Sequence, residues 1–255
     1  MISYVIPTLG TRPDSLNKLI ASLLEAKCVE KIVIVGPSEI ETRVEIHESR
    51  IQFLKEHSIG APSAINQGLS KVKSQYWNWI GDDDFINGID LDDFFFKKIP
   101  LHEKKMYYSN IKYVDSQGNL LMWNKPRTIA KRMIFFGPNL IPQPTCIFPT
   151  RASVSIGGLS QEYHLAFDQD FICRLLLQGE AKYVSHNFAS YTWHGNSLTQ
   201  RNRALSLKES FQIRMKYALN WKSRMLIRIL YLPTIGLVLL SDIIFRKING
   251  NGCNV

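Results

Sequence analysis

Apolar residues in the first third of the chain come in short β-rich runs, each closed by turn residues. Ile2 to Ile6 is closed by Pro7, Lys31 to Val35 (KIVIV) is broken by Gly36-Pro37-Ser38, and Ile51 to Leu54 forms a third run. Between the first two, Thr8 to Arg12 has loop composition, and Pro13-Asp14 opens a helix that reaches about Ala26. Pro62 starts a second helix through Leu69. Strands alternating with helices at this spacing predict a parallel sheet with right-handed crossovers, and such sheets bind ligands, nucleotides among them, at the carboxyl ends of their strands.

The fourth run, Tyr76 to Ile80, passes straight into Gly81-Asp82-Asp83-Asp84-Phe85. A strand here, with Trp77, Trp79 and Ile80 buried, delivers three carboxylates together to its carboxyl end. They repel one another and need a counter-charge. A hard divalent cation, Mg²⁺ or Mn²⁺, is suited to oxygen ligands; a solvated acidic turn is the other reading of the same residues.

Beyond Asp84 the alternation stops. Asp90 to Phe96 reads as one or two helical turns, and Lys105 to Val114 with Asn119 to Trp123 reads as a hairpin around Asp115 to Asn119. Ile141 to Phe148 is extended by its prolines and leads to Gly157-Gly158-Leu159. A second acidic site follows in Phe167-Asp168-Gln169-Asp170, at the start of a helix that ends at Gly179. Ala181 to Trp193 is the last strand, followed by a polar loop that begins at His194.

Composition places the chain among globular proteins: 45% of its 255 residues are apolar and 21% charged, with a net charge of +9. Between Arg201 and Arg228 eight basic residues face the single acid Glu209, so most of the excess lies there. Such a segment before an apolar one favours an anionic membrane surface over nucleic acid. Cys28, Cys146, Cys173 and Cys253 follow no metal-ligand spacing and read as reduced thiols. Met1 enters the first strand with no leader-like segment, from which a cytoplasmic catalytic part is expected.

Taken in order, Tyr4-Val5-Ile6-Pro7-Thr8, Glu56 to Gly60 with Ala64-Ile65-Asn66-Gln67-Gly68, Trp79-Ile80-Gly81-Asp82-Asp83-Asp84, Gln143-Pro144-Thr145, Gly157-Gly158-Leu159 and Ala166 to Leu175 resemble the family 2 glycosyltransferases of the bacterial surface-polysaccharide type. The resemblance covers about residues 1 to 200. It implies an α/β GT-A fold with a Rossmann-like, mostly parallel central sheet. Residues 1–215 would form the catalytic domain, with a nucleotide-sugar half (1–125) and an acceptor half (126–215). Residues 216–255 would be a helical, membrane-associating tail.

The implied activity is metal-dependent, inverting transfer of a sugar from a nucleotide-diphosphate sugar, a UDP-sugar in the first place, to a glycan or lipid-linked glycan. The resemblance implies Asp83 and Asp84 as ligands of Mn²⁺ or Mg²⁺, Asp82 or Asp83 near the ribose, and Pro7 and Thr8 in the nucleotide-binding loop. Asp168 is similar to the family's general base, and His194 to a third metal ligand or a diphosphate contact. Arg12 and Arg201 are candidate diphosphate contacts. The chain departs from the family at Phe167, where Glu is usual, and at Val35 to Ser38, where Asp-Asp-Gly-Ser is common.

Each assignment has a structural counterpart. Asp168 would also serve as a helix N-cap, with Asp170 as the spare base. His194 would also be an ordinary structural histidine, and Asn66 is expected to pack a helix or fix a loop rather than bind a ligand. Two other functions use the same features: a nucleotidyltransferase, and a non-catalytic nucleotide-sugar binder. Ile229 to Phe245, 17 residues with Pro233 and Asp242 inside, is expected to be too short and interrupted to span a membrane and to lie at its inner surface, or else to pack on the domain.

Overall fold

The computed structural model describes residues 1–100, 102, 105–193 and 202–250; in the last helix it describes side chains up to residue 240 and that of Ile243. The apolar runs become strands β1 (Ile2–Pro7), β2 (Val29–Gly36), β3 (Ile51–Lys55) and β4 (Tyr76–Trp79), all parallel. In the sheet they stand in the order β3-β2-β1-β4, with a short antiparallel strand, β8 (Phe148–Pro149), at the β4 edge.

Alternate residues of these strands serve two faces. Ile2, Tyr4 and Ile6, with Ile32 and Ile34, pack on helix α1 (Pro13–Glu25) through Leu16, Leu19, Ile20 and Leu23. Val5, Val33 and Val35 pack on helix α2 (Ala61–Leu69) through Ala64, Ile65 and Leu69. Burial on both faces explains why the runs are continuously apolar. Each such side chain contributes roughly 1.5–3 kcal/mol. Gly68 lets α2 approach β1, since a Cβ there would lie 2.3 Å from Val5 Cγ1.

A second sheet has the order β5-β9-β6-β7, built from β5 (Phe85–Ile86), β6 (Lys105–Val114), β7 (Leu120–Asn124) and β9 (Glu180–Thr192). The expected hairpin is present, with Asp115 Oδ1 accepting from the N–H groups of Gln117 and Asn119 at 2.9 and 2.8 Å. The expected helical turns are α3 (Gly88–Asp93), capped by Asn87, and a π-helical turn, Phe94–Lys98. Helices α4 (Ala130–Phe136), α5 (Thr150–Ser155) and α6 (Phe167–Gln178) cover the α2 side, followed by α7 (Arg203–Lys216) and α8 (Trp221–Gly250).

Two expectations are corrected. The segment Ile141 to Phe148 is not extended throughout: Gln143–Thr145 is a 3₁₀ turn, because Thr145 returns its N–H and its hydroxyl to Pro142 O at 3.0 and 2.9 Å. The tail is not interrupted at Pro233. A single 30-residue helix contains it, with Pro233 on its exposed side. Nor is it too short, since Trp221–Leu240, 20 residues of mean hydropathy 1.6 with 11% buried, is long and apolar enough to cross a membrane.

Candidate active site

The chain leaves β1 toward β2 and β3 on one side and returns to pair β4 on the other, so the carboxyl ends of β1 and β4 flank the sheet's switch point. Open α/β sheets bind ligands in this crevice. Pro7, in register with Val35, ends β1, and Thr8 follows, buried at the rim. Thr8 Oγ1 donates to Asp82 Oδ2 at 2.5 Å and accepts from Gly10 N–H at 2.9 Å. Arg12, just before α1, reaches Asp82 Oδ1 at 2.9 Å and Asp83 Oδ2 at 3.0 Å through one nitrogen, Nη1. The loop is braced from β2's side, where Arg43 donates to Gly10 O at 2.7 Å.

Among the described residues the three aspartates therefore do not share one counter-ion. Arg12 serves Asp82 and Asp83, whereas Asp84 turns toward the second sheet and accepts from Thr192 N–H at 3.0 Å. Asp84 is buried, and burial first, then the neighbouring Asp83, hold its carboxyl well above the usual carboxylate range; Arg12 offsets this least. Among the described residues no three acid, histidine or cysteine side chains converge as a metal-holding group. His194 and Arg201 lie outside the described residues. The oxygen donors Asp83 and Asp84 still suit a hard divalent cation, which would relieve the cost of an ionised Asp84.

Asp168 is the second residue of α6, after Phe167, and the cap position is Ala166. Its side chain is thus past the N-cap. It is half-buried, Asn139 Nδ2 lies 3.4 Å from its Oδ2, and burial raises its carboxyl to about 6, opposed by nearby backbone N–H groups. Phe167 rests against Trp79 with ring centroids 6.4 Å apart. Trp77 and Trp79 are core residues, Trp79 stacking on Phe148 at 5.2 Å. Asp170 is no spare base: it is fully buried, and its carboxylate takes Arg174 Nε at 2.8 Å and Tyr217 Oη at 2.7 Å.

Two residues that hold this arrangement, Glu209 and Arg214, were not singled out by sequence as more than members of the basic run. Glu209 on α7 is buried and accepts the N–H groups of His164, Leu165 and Ala166 at 3.0, 2.8 and 2.9 Å, which fixes the chain as it enters α6. The only sequence signal was its position as the one acid in a basic run. Arg214 in that run is also buried, donating to Gly137 O at 2.8 Å, so not all of the run's charge is at the surface. Gln143 donates to Asn78 Oδ1 and Trp79 O at 2.9 and 2.7 Å, which fixes the 3₁₀ turn to β4.

Asn66 does fix a loop, exchanging two 2.8 Å hydrogen bonds with the backbone of Leu159. The adjacent Gly158 has φ +68°, and a Cβ there would sit 2.4 Å from Asn66 Oδ1. A cleft of about 760 Å³ lies elsewhere, between Tyr163, Phe211, Lys216 and Arg224, and contains none of the aspartates.

No family model matches the sequence, and no curated protein matches it. The structure is similar to that of S. aureus TarS residues 1–349 at TM-score 0.59, with 14% identity over 89% of this chain and 69% of that one. The same fragment in complex with UDP-GlcNAc gives TM-score 0.61 at 14% identity, covering 89% and 70% of the two chains. Its complex with UDP gives 0.58 at 15% identity, over 86% and 65%. The chain covers 42% of a longer TarS structure. At this identity the likeness establishes a shared fold, the expected GT-A-like α/β architecture with a mostly parallel sheet.

Proposed function

We propose that the chain is a glycosyltransferase that moves a sugar from a UDP-sugar to a hydroxyl of a glycan or lipid-linked glycan at the cytoplasmic face of a membrane, with inversion at the anomeric carbon. The observation that carries the reading is the Thr8, Arg12 and Asp82 cluster at the switch point of a fold shared with a protein crystallised with UDP-GlcNAc. The crevice offers carboxylates and, bonded to them, a half-exposed guanidinium, so it can take both the hydroxyls and the phosphates of a nucleotide.

Asp83 and Asp84 would hold Mn²⁺ or Mg²⁺, which when bound supplies positive charge against the leaving diphosphate. Asp82, fixed by Thr8, would face the ribose, and Arg12 would pass from the carboxylates to the diphosphate. Asp168, with its carboxyl at about 6, is mostly ionised at neutral pH and would take the proton of the attacking hydroxyl. A direct attack opposite the leaving group inverts the anomeric carbon.

The test is incubation of the purified chain with a panel of UDP-sugars, Mn²⁺ and glycan acceptors, following nucleotide release. Acceptor-dependent release of UDP supports the reading. Formation of pyrophosphate in a parallel incubation with UTP and sugar 1-phosphates, with no UDP released from the UDP-sugars, would make the chain a nucleotidyltransferase, and donor binding with no release would make it a binder.

A further inference from the structure

Helix α8 has two unlike sides. Ile227, Tyr231, Thr234 and Val238 recur at helical spacing and form its inner stripe: Ile227 and Thr234 are buried, and the Tyr231 ring lies 4.5 Å from that of Phe211 on α7. The helix packs here on α4 and α7. On the opposite side Met225, Ile229, Leu232, Leu240 and Ile243 are all exposed. Exposed Lys222, Arg224 and Arg228 stand at the same helix's beginning.

We infer that α8 lies in the plane of an anionic membrane surface, its outer apolar line in the lipid, its basic first turns on the headgroups and its inner stripe on the domain. The packing of the inner stripe decides against crossing. Residues 227 to 238 are covered along one side by the domain, and this stretch could enter a bilayer core only by giving up the Ile227, Tyr231 and Thr234 contacts. A helix so apolar and so little buried is not a core helix, and the adjacent cations select an anionic bilayer over a neutral apolar partner. This inference does not rest on sugar transfer.

The test is flotation of the full chain with phosphatidylcholine vesicles, with or without 30% phosphatidylserine, followed by protease digestion of a C-terminal tag. The expected result is recovery with the anionic vesicles, weakened by salt, and a tag that stays cleavable from the side of the domain. The triple variant Lys222→Gln, Arg224→Gln, Arg228→Gln, which leaves the packed stripe untouched, should lower partitioning roughly a hundredfold. Ile229→Asp should abolish it. A tag protected inside the vesicles would mean that the helix spans, and full-length protein left unbound by both vesicles would mean that the face is not a lipid surface; either overturns the inference. Wild-type partitioning by the triple variant would likewise overturn it.

Discussion

Thr8 and Asp82 are 74 residues apart and are joined across the first and fourth strands by a 2.5 Å hydrogen bond. The bond links the loop after β1 to the acidic turn after β4, so the two walls of the crevice move together. Thr8→Val keeps the shape of the side chain but leaves Asp82 Oδ2 and the Gly10 N–H without this partner. We expect a loss of about 1–3 kcal/mol in stability and weaker nucleotide binding, with Thr8→Ser restoring both. Urea unfolding and calorimetry with UDP measure them. A Val variant of unchanged stability would show that the bond holds nothing together.

Arg12 is a cation that Asp82 and Asp83 share. Arg12→Gln should cost no more than about 1 kcal/mol, since the guanidinium is partly exposed. It should also raise the affinity for Mn²⁺ in the absence of nucleotide by about tenfold, because a competing charge is gone. Calorimetric titration of Mn²⁺ decides this. An affinity that falls would place Arg12 outside any competition with metal.

Asp84 has a carboxyl held above its ordinary value, so its ionisation is resisted more in the folded than in the unfolded chain. The sign follows directly. Its protonated form favours folding at low pH, and that advantage is lost as pH rises above the unfolded value toward the raised folded one. At pH 7 without metal, Asp84→Asn should therefore gain about 0.5–2 kcal/mol, while metal-dependent transfer is lost. Thermal scans with and without Mn²⁺ read both effects. A variant less stable than wild type without metal would contradict the buried-charge account.

Asp168, at about 6, gives a rate prediction. The acid limb of kcat/KM should turn near that value, activity falling as pH drops below it and the carboxylate takes up a proton. Asp168→Asn should lower turnover by about 10²–10⁴-fold with donor affinity kept. Loss of donor affinity in parallel with turnover would mark the residue as structural.

Glu209 carries three backbone N–H groups ahead of Asp168 on a buried carboxylate. Glu209→Ala should cost about 3 kcal/mol or more, because those donors are left in the interior. Glu209→Gln should recover part of it. Denaturation midpoints of the two variants give the comparison, and an Ala variant close to wild type would mean that water takes over the three donors.

What the sequence determined by itself was local. The apolar runs, prolines and glycines of residues 2–86 specify strand after helix after strand, since burial on both sheet faces leaves its mark on each short run. Parallel order then carries Thr8 and the three aspartates to the same end of the sheet. The Asp115 hairpin was legible for the same reason, since a turn type is written in a few neighbouring residues; Asn66 was expected to pack a helix or fix a loop, and Leu159, 93 residues away, decided for the loop.

Tertiary structure decided which charge answers which. Arg12 faces Asp82 and Asp83, Asp84 faces β9 through Thr192, and Asp170 is consumed by Arg174 and Tyr217. These partners come from distant elements, and no periodicity encodes them. It also decided that β9 lies between β5 and β6, that Glu209 and Arg214 are interior, and that α8 continues through Pro233. Composition reads a charge as surface and a proline as a break. A buried carboxylate with three donors, and a proline on the exposed side of an unbroken helix, are exceptions set by what packs around them.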